Sequence, residues 1–201
     1  MTPAKEVLWG ELPPCDHLLH IYDDDASFLE RVEGFIADGL ENGEAVIVIA
    51  TASHREALGH RLEKSGIDIP KAICEGRYIA LSAQDTLDKF MERGSPDEER
   101  FNATIAGVIN EARSGGRKVR AFGEMVALLW ARGNHSATVR LEYLWNKLLC
   151  AEDFPLLCAY PSRSFTAQAS PSVAAICAAH TSVIGARPIR AFHQMKPAGD
   201  G

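Results

Sequence analysis

No hydrophobic run in this 201-residue sequence approaches the ~20 residues of a membrane-spanning helix. The start of the chain lacks the charged-then-apolar pattern of an export signal, so a cytoplasmic protein is expected. Cysteine is sparse, with Cys15, Cys74, Cys150, Cys158 and Cys177 scattered without CxxC spacing. That distribution argues against a disulfide framework and against paired-cysteine metal binding. Reduced thiols, mostly buried as small hydrophobes, are expected instead. Basic residues are outnumbered, 21 Lys and Arg against 27 Asp and Glu, for a net charge of −6. No global field therefore draws the chain to nucleic acid or to anionic lipid. The sequence also has no GxGxxG, GxSxG or HExxH. No catalytic residue, cofactor or tightly held metal is expected.

What is present is a strict alternation of strand and helix signals. Leu18 to Tyr22 is a short apolar strand, and Phe28, Val32, Phe35 and Ile36 follow at helical spacing until Asn42-Gly43. "EAVIVIAT" is a β-branched run typical of a strand covered on both faces. Ser53 with Glu56 forms a capping-box pattern for the next helix. "RYIALSA" is a third strand, with a helix through Leu87, Phe90 and Met91 after it. In "GSPDEERF", Ser95 reads as an N-cap and Pro96 as the first helical residue. "KVRAFGEM" and "FPLLCAYP" are the fourth and fifth strands, separated by a helical region from Val126 to Leu149 broken near Gly133-Asn134. A last helix is expected over Pro171 to His180. The domain is expected to end near residue 185, with 186–201 a loose tail. Five strands with long crossovers predict an α/β three-layer sandwich around a mainly parallel sheet.

In such folds ligands sit beyond the carboxyl ends of the strands, and the first strand–helix junction is where a phosphate loop is usually found. Here that junction reads "YDDDASF". A phosphate ~5 Å from one carboxylate meets about 3 kcal/mol of repulsion at an effective dielectric of 20. Asp23, Asp24 and Asp25 are better suited to taking the free amides of the helix start.

The candidate site residues cluster at or near strand ends. Glu124 follows the fourth strand and either meets a ligand or anchors a neighbouring helix terminus, with Met125 beside it. His17 opens the first strand and pairs with a carboxylate, contacts a ligand or is simply a core histidine. Tyr22 and Asp24 stand at the carboxyl end of that strand. Trp130 lies on the helical stretch after Glu124. Glu142 and Asn146, four apart, share one helix face, and Cys158 and Tyr160 point to one side of the fifth strand. Aromatic walls with few polar groups would suit a small, weakly polar ligand. Cys158, in an apolar strand, reads as inert rather than nucleophilic.

"FIADGLENGEAVIVIAT", "RAFGEMVALLWARGN" running into "LEYLWNKL", and "FPLLCAYP" with a later "ICAAH" together resemble the MEDS domain. This is the sensory module named for methanogens, methylotrophs and the dichloromethane-responsive repressor. The resemblance covers about Asp16 to Val183, and "GLENGEAVIVIAT" is also similar to RecA/KaiC-like ATPases. It implies a RecA/KaiC-like fold without a phosphate loop. The implied role is non-enzymatic sensing of a small hydrocarbon derivative, with output through a histidine kinase, an anti-sigma factor or a transcription regulator. Direct nucleic-acid or membrane contact is not implied, and a homodimer is left open. Two other classes stay open beside it: a degenerate nucleotide-binding ATPase, and a ligand-free adaptor for a kinase or sigma-factor regulator.

ATP with magnesium is expected to leave the melting temperature unchanged, whereas binding at about a hundredfold excess over Kd would stabilise by ~2.7 kcal/mol. A clear upward shift with millimolar nucleotide, abolished by changing Asp24 or Glu124, would establish the ATPase reading instead.

Overall fold

The computed structural model describes residues 12–13, 15–165 and 170–185; the expected tail lies outside them. In chain order the elements are β1 (His17–Tyr22), α1 (Asp25–Glu41), β2 (Ala45–Ala50), α2 (Ala52–Lys64), α3 (Ile69–Cys74), β3 (Tyr78–Ser82) and α4 (Ala83–Asp88). A small hairpin, β4 (Met91–Glu92) and β5 (Ser95–Pro96), leads into α5 (Glu98–Ala112). Then come β6 (Val119–Gly123), α6 (Met125–Ala131), α7 (His135–Glu152), β7 (Leu156–Pro161), α8 (Ser170–Ala179) and β8 (Ser182–Gly185).

Six strands form one sheet in the order β3-β2-β6-β7-β1-β8, and every pairing within it is parallel. Side chains alternate between two apolar layers, as strand geometry requires. Leu19, Ile21, Ile47, Ile49, Ala121, Cys158 and Tyr160 pack with α4 to α8. Leu18, Tyr22, Val46, Val48, Phe122, Leu157 and Ala159 pack with α1 to α3. This is the expected three-layer α/β sandwich. Among the described residues no helix is long and apolar enough to cross a membrane.

Several local expectations are corrected. Asp97, not Ser95, caps α5, its carboxylate accepting from the Arg100 amide at 2.9 Å. Ser95 and Pro96 are held instead in the hairpin, opposite Glu92 and Met91. Thr51 rather than Ser53 stands at the start of α2, without a side-chain cap. The helix after β3 ends at Asp88, because the chain turns there to bury Phe90. The cysteines are less buried than expected: Cys74 and Cys150 are exposed, and Cys158 alone is fully covered.

Arg120 fixes α1 against the sheet. It rises from β6 with its side chain fully covered, bonds Glu44, and donates Nη1 to Phe35 O and to Asp38 Oδ2, both at 3.0 Å. A buried guanidinium is tolerable only with such partners. Gly39 makes room for it, since a Cβ there would lie 2.7 Å from Arg120 Cδ and Nε and 2.9 Å from Val46 Cγ2.

Gly39→Ala is therefore expected to lower the urea midpoint by the equivalent of about 1–3 kcal/mol, from overpacking. Gly59→Ala on α2 is the control. Its added methyl meets nothing within 4 Å, so it should stabilise by about 0.5–1 kcal/mol. Equal effects at the two positions would remove Arg120 as the reason for Gly39.

Candidate functional site

The residues singled out in the sequence fall into two groups on opposite faces of the sheet. The first surrounds Glu124, which β6 delivers to the α1–α2 side. One carboxylate oxygen accepts from the Thr51 amide at 2.8 Å and the other meets His54 Nδ1 at 2.7 Å. Both partners belong to the start of α2, where a carboxylate also complements the helix dipole. Glu124 thus anchors a helix terminus, one of its two expected roles. His54 packs on Phe28, and Phe28 on Tyr22. Burial, with help from Glu124 and Asp25, pushes the Tyr22 hydroxyl up to about 12.

The second group surrounds Glu142, which α7 buries on the opposite face. Tyr160 donates its hydroxyl to Oε1, while Oε2 faces His17 Nε2 at 3.3 Å and the Cys158 thiol at 3.7 Å. His180 Nε2 approaches the same oxygen at 3.7 Å. Burial works to raise the Glu142 carboxyl, but the two imidazoles and Tyr160 outweigh it and hold it below the usual range. Burial and Glu142 keep the Cys158 thiol and the Tyr160 hydroxyl protonated, both well above their ordinary values. Asn146 steadies His17, with Oδ1 at 3.0 Å from Nδ1 and its amide donating to Ala179 O at 2.7 Å.

Beyond Tyr160 lies an aromatic cluster at the carboxyl end of β7. Trp130 meets Tyr160 edge-on at 6.1 Å and Phe165 edge-on at 5.4 Å, and stacks on His135 at 4.1 Å. Its indole N–H donates to Ser164 O at 2.8 Å. Met125 is buried at the start of α6. Asp24 is exposed and caps α1 through the Ser27 amide at 2.8 Å, while Asp23 accepts from the Ser162 hydroxyl at 2.6 Å. The aspartates therefore occupy the first strand–helix junction with ties of their own.

The structure brings His17, Glu142, Asn146, Cys158 and Tyr160 together, with Trp130 one ring further out. It does not bring Tyr22 or Glu124 to them. Sequence reasoning missed His54 and His180. His54 lies between Ser53 and Glu56, the residues read as a capping pair, and "ICAAH" already contained His180.

The Glu124 hydrogen bond, against a smaller opposing effect of burial, raises the His54 pKa from its ordinary 6.5. A raised imidazole stabilises the fold fully below 6.5, and that stability is lost as pH climbs through the higher folded value. Thermal melts from pH 6 to 9 should show Glu124→Gln less stable than the natural chain at pH 6, with the gap narrowing towards pH 9. A gap that is constant or widens with pH would show that the pair carries no protonation linkage.

The fold has a solved counterpart. The crystal structure of a KaiC-like protein from the hyperthermophilic archaeon Pyrococcus horikoshii OT3 superposes with a TM-score of 0.60 at 15% identity, covering 89% of this chain and 76% of that one. At that identity the likeness establishes the RecA/KaiC-type architecture alone. No curated protein sequence matches the chain. The profile of the methanogen/methylotroph, DcmR sensory domain matches residues 16–181. That span takes in β1 through to the residue before β8, including both polar groups and the aromatic cluster, and the chain accordingly belongs to the MEDS family of sensory domains.

Proposed function

We propose that this domain is a non-catalytic sensor that binds a small, weakly polar organic molecule and relays its presence to a partner regulator. A histidine kinase, an anti-sigma factor or a transcription regulator fits that output. The observation that carries the reading is the cluster of Trp130, Tyr160 and Phe165 at the carboxyl end of the sheet. Its rings offer apolar walls with the few polar groups a weakly polar ligand needs. The Tyr160 hydroxyl is committed to Glu142 and the Trp130 N–H to Ser164. Among the described residues, none of these three ring side chains carries a cationic group for a charged or phosphorylated ligand.

In this reading Trp130 and Tyr160 contact the ligand, with Met125 behind them. Glu142 orients Tyr160, and His17, Asn146 and Cys158 support Glu142 from within the core. Tyr22, Asp24 and Glu124 hold the other side of the same sheet end. The aspartates at the first strand–helix junction support a sensor over an ATPase, because the junction presents carboxylates where phosphate would have to sit.

Thermal shift and tryptophan emission, measured against short-chain alcohols, amines, halides and carboxylates, test the proposal. At least one class is expected to raise the melting temperature and alter the emission, with about 2.7 kcal/mol of stabilisation at a hundredfold excess over Kd. Trp130→Phe and Phe165→Leu should weaken that response while the protein still melts cooperatively. If every class leaves both signals unchanged, the ligand-free adaptor reading takes its place.

A further inference from the structure

His17, Glu142, Cys158 and His180 form a second kind of centre. They come from four separate segments: the start of β1, the middle of α7, the middle of β7 and the residue after α8. Their Nε2, Oε2, Sγ and Nε2 atoms all lie within 4.8 Å of one another. The closest separations are 3.3 Å from His17 to Glu142, 3.5 Å from Cys158 to His17, and 3.7 Å from Glu142 to both Cys158 and His180. With metal–nitrogen and metal–oxygen bonds of about 2.0–2.2 Å and metal–sulfur bonds of about 2.3 Å, the edges of a tetrahedral zinc site measure roughly 3.3–3.7 Å. Four of the six separations already match that spacing and the other two lie within 4.8 Å. The His17 and His180 rings, with centroids 3.8 Å apart, need only spread to complete the tetrahedron, and all four side chains are covered from solvent.

The placement of hydrogens makes the case sharper. His17 Nδ1 lies 3.1 Å from Ala179 O, and His180 Nδ1 lies 2.6 Å from Ile176 O. A backbone carbonyl can only accept, so Nδ1 of each ring carries a hydrogen, and in the neutral form of the ring the lone pair is on Nε2. Nε2 of each ring faces the same Glu142 oxygen. The Tyr160 hydroxyl is spent on the other oxygen, and His180 Nε2 has no hydrogen-bond partner among the described residues. Four possible ligand atoms thus converge on one buried point. A cation there can take the place of the shared hydrogens and leave no buried donor or acceptor unpaired. The outer contacts are those that metal-binding histidines use, with Nδ1–H donating to backbone carbonyls and so fixing the tautomer that turns Nε2 inward.

We propose that His17 Nε2, His180 Nε2, Cys158 Sγ and Glu142 Oε2 bind one Zn2+ ion. Binding displaces the Cys158 hydrogen to solvent as a proton. The resulting thiolate and the Glu142 carboxylate then cancel the ion's charge, so the buried centre is neutral overall. Two imidazoles, one thiolate and one carboxylate are a donor set that suits zinc, and four protein ligands close the coordination shell as in structural sites. The ion would staple β1, α7, β7 and the end of α8 to one another. No local motif announces it, because His17 and Cys158 are separated by 141 positions. The expectation of no metal rested on spacing between near neighbours, which this centre does not use. The site shares Glu142, His17 and Cys158 with the sensor reading, but its measurements need no organic ligand, so either proposal can fail without the other.

Metal analysis of the purified full chain should find close to one zinc per molecule. X-ray absorption on the zinc protein should show one sulfur and three nitrogen or oxygen ligands. After chelation, Co2+ should give the thiolate charge-transfer band and the intense visible bands of a tetrahedral ion. Cys158→Ser should abolish the charge-transfer band, and His180→Ala should weaken binding at least about tenfold. Chelation should lower the melting temperature of the natural chain and leave that of Cys158→Ser unmoved. Absence of stoichiometric metal together with a silent Co2+ titration would overturn the proposal. So would a shell with no sulfur or more than one, or a Co2+ spectrum that survives both substitutions. The absorption measurement needs no variant, so the proposal stays falsifiable even if Cys158→Ser does not fold.

Discussion

A parallel sheet covered by helices on both faces leaves no water to solvate a polar side chain that rises from it. Whatever charge enters must be met by a partner from the covering helices. This constraint organises the molecule. Arg120 leaves β6 on one face and is met by α1 and by Glu44 beside β2. Glu124 follows the same strand and is met by the start of α2. Glu142 reaches the other face from α7 and is met by β1, β7 and the end of α8. Each pairing ties one covering element to the sheet at a defined position. Apolar packing alone, which is tolerant of sliding, would specify that position less sharply.

The strand–helix junction after β1 shows the same logic at the surface. Asp24 satisfies an amide of α1, and Asp23 ties the junction to the turn after β7 through Ser162. Carboxylates that would repel a phosphate are used here to close the end of the sheet. The polar chemistry of the domain lies instead on the two faces, around Glu124 and Glu142. The frame is of the KaiC type, and its buried carboxylates Glu124 and Glu142 stand on opposite faces of the sheet.

Most of the frame was legible because its signals are local. A β-branched run marked β2 and an apolar run marked β7, helical spacing marked α1, and Gly133-Asn134 marked the break between α6 and α7. What was missed is short or lies at an edge. β8 has four residues and only Ile184 among them is part-covered. α3 spans six residues, and the hairpin strands two each. The site was legible in pairs: Cys158 with Tyr160 at strand spacing, Glu142 with Asn146 at helix spacing. Their meeting with His17 was not, since it depends on a register that places Leu19 beside Cys158 and Ile21 beside Tyr160. That same register puts Tyr22 one step out of phase with Tyr160 and so on the opposite face. Period-two alternation was visible in each strand, but strand pairing decides which alternations coincide.

The strand order has a consequence for how the chain comes to be folded. β1 is the earliest element among the described residues, yet its two neighbours in the sheet are β7 and β8. On a ribosome adding about 5–20 residues per second, β1 waits on the order of ten seconds before Leu156 is even made. During that interval β2, β3 and β6 can already pair with one another. An apolar strand such as Leu18 to Tyr22 is left with open edges until the last third of the chain arrives. Pairings this distant in sequence also slow folding, because loop closure precedes the contacts that reward it. The half of the sheet that carries His17, Cys158 and Tyr160 is thus the last to assemble and the most exposed to misassociation before it does.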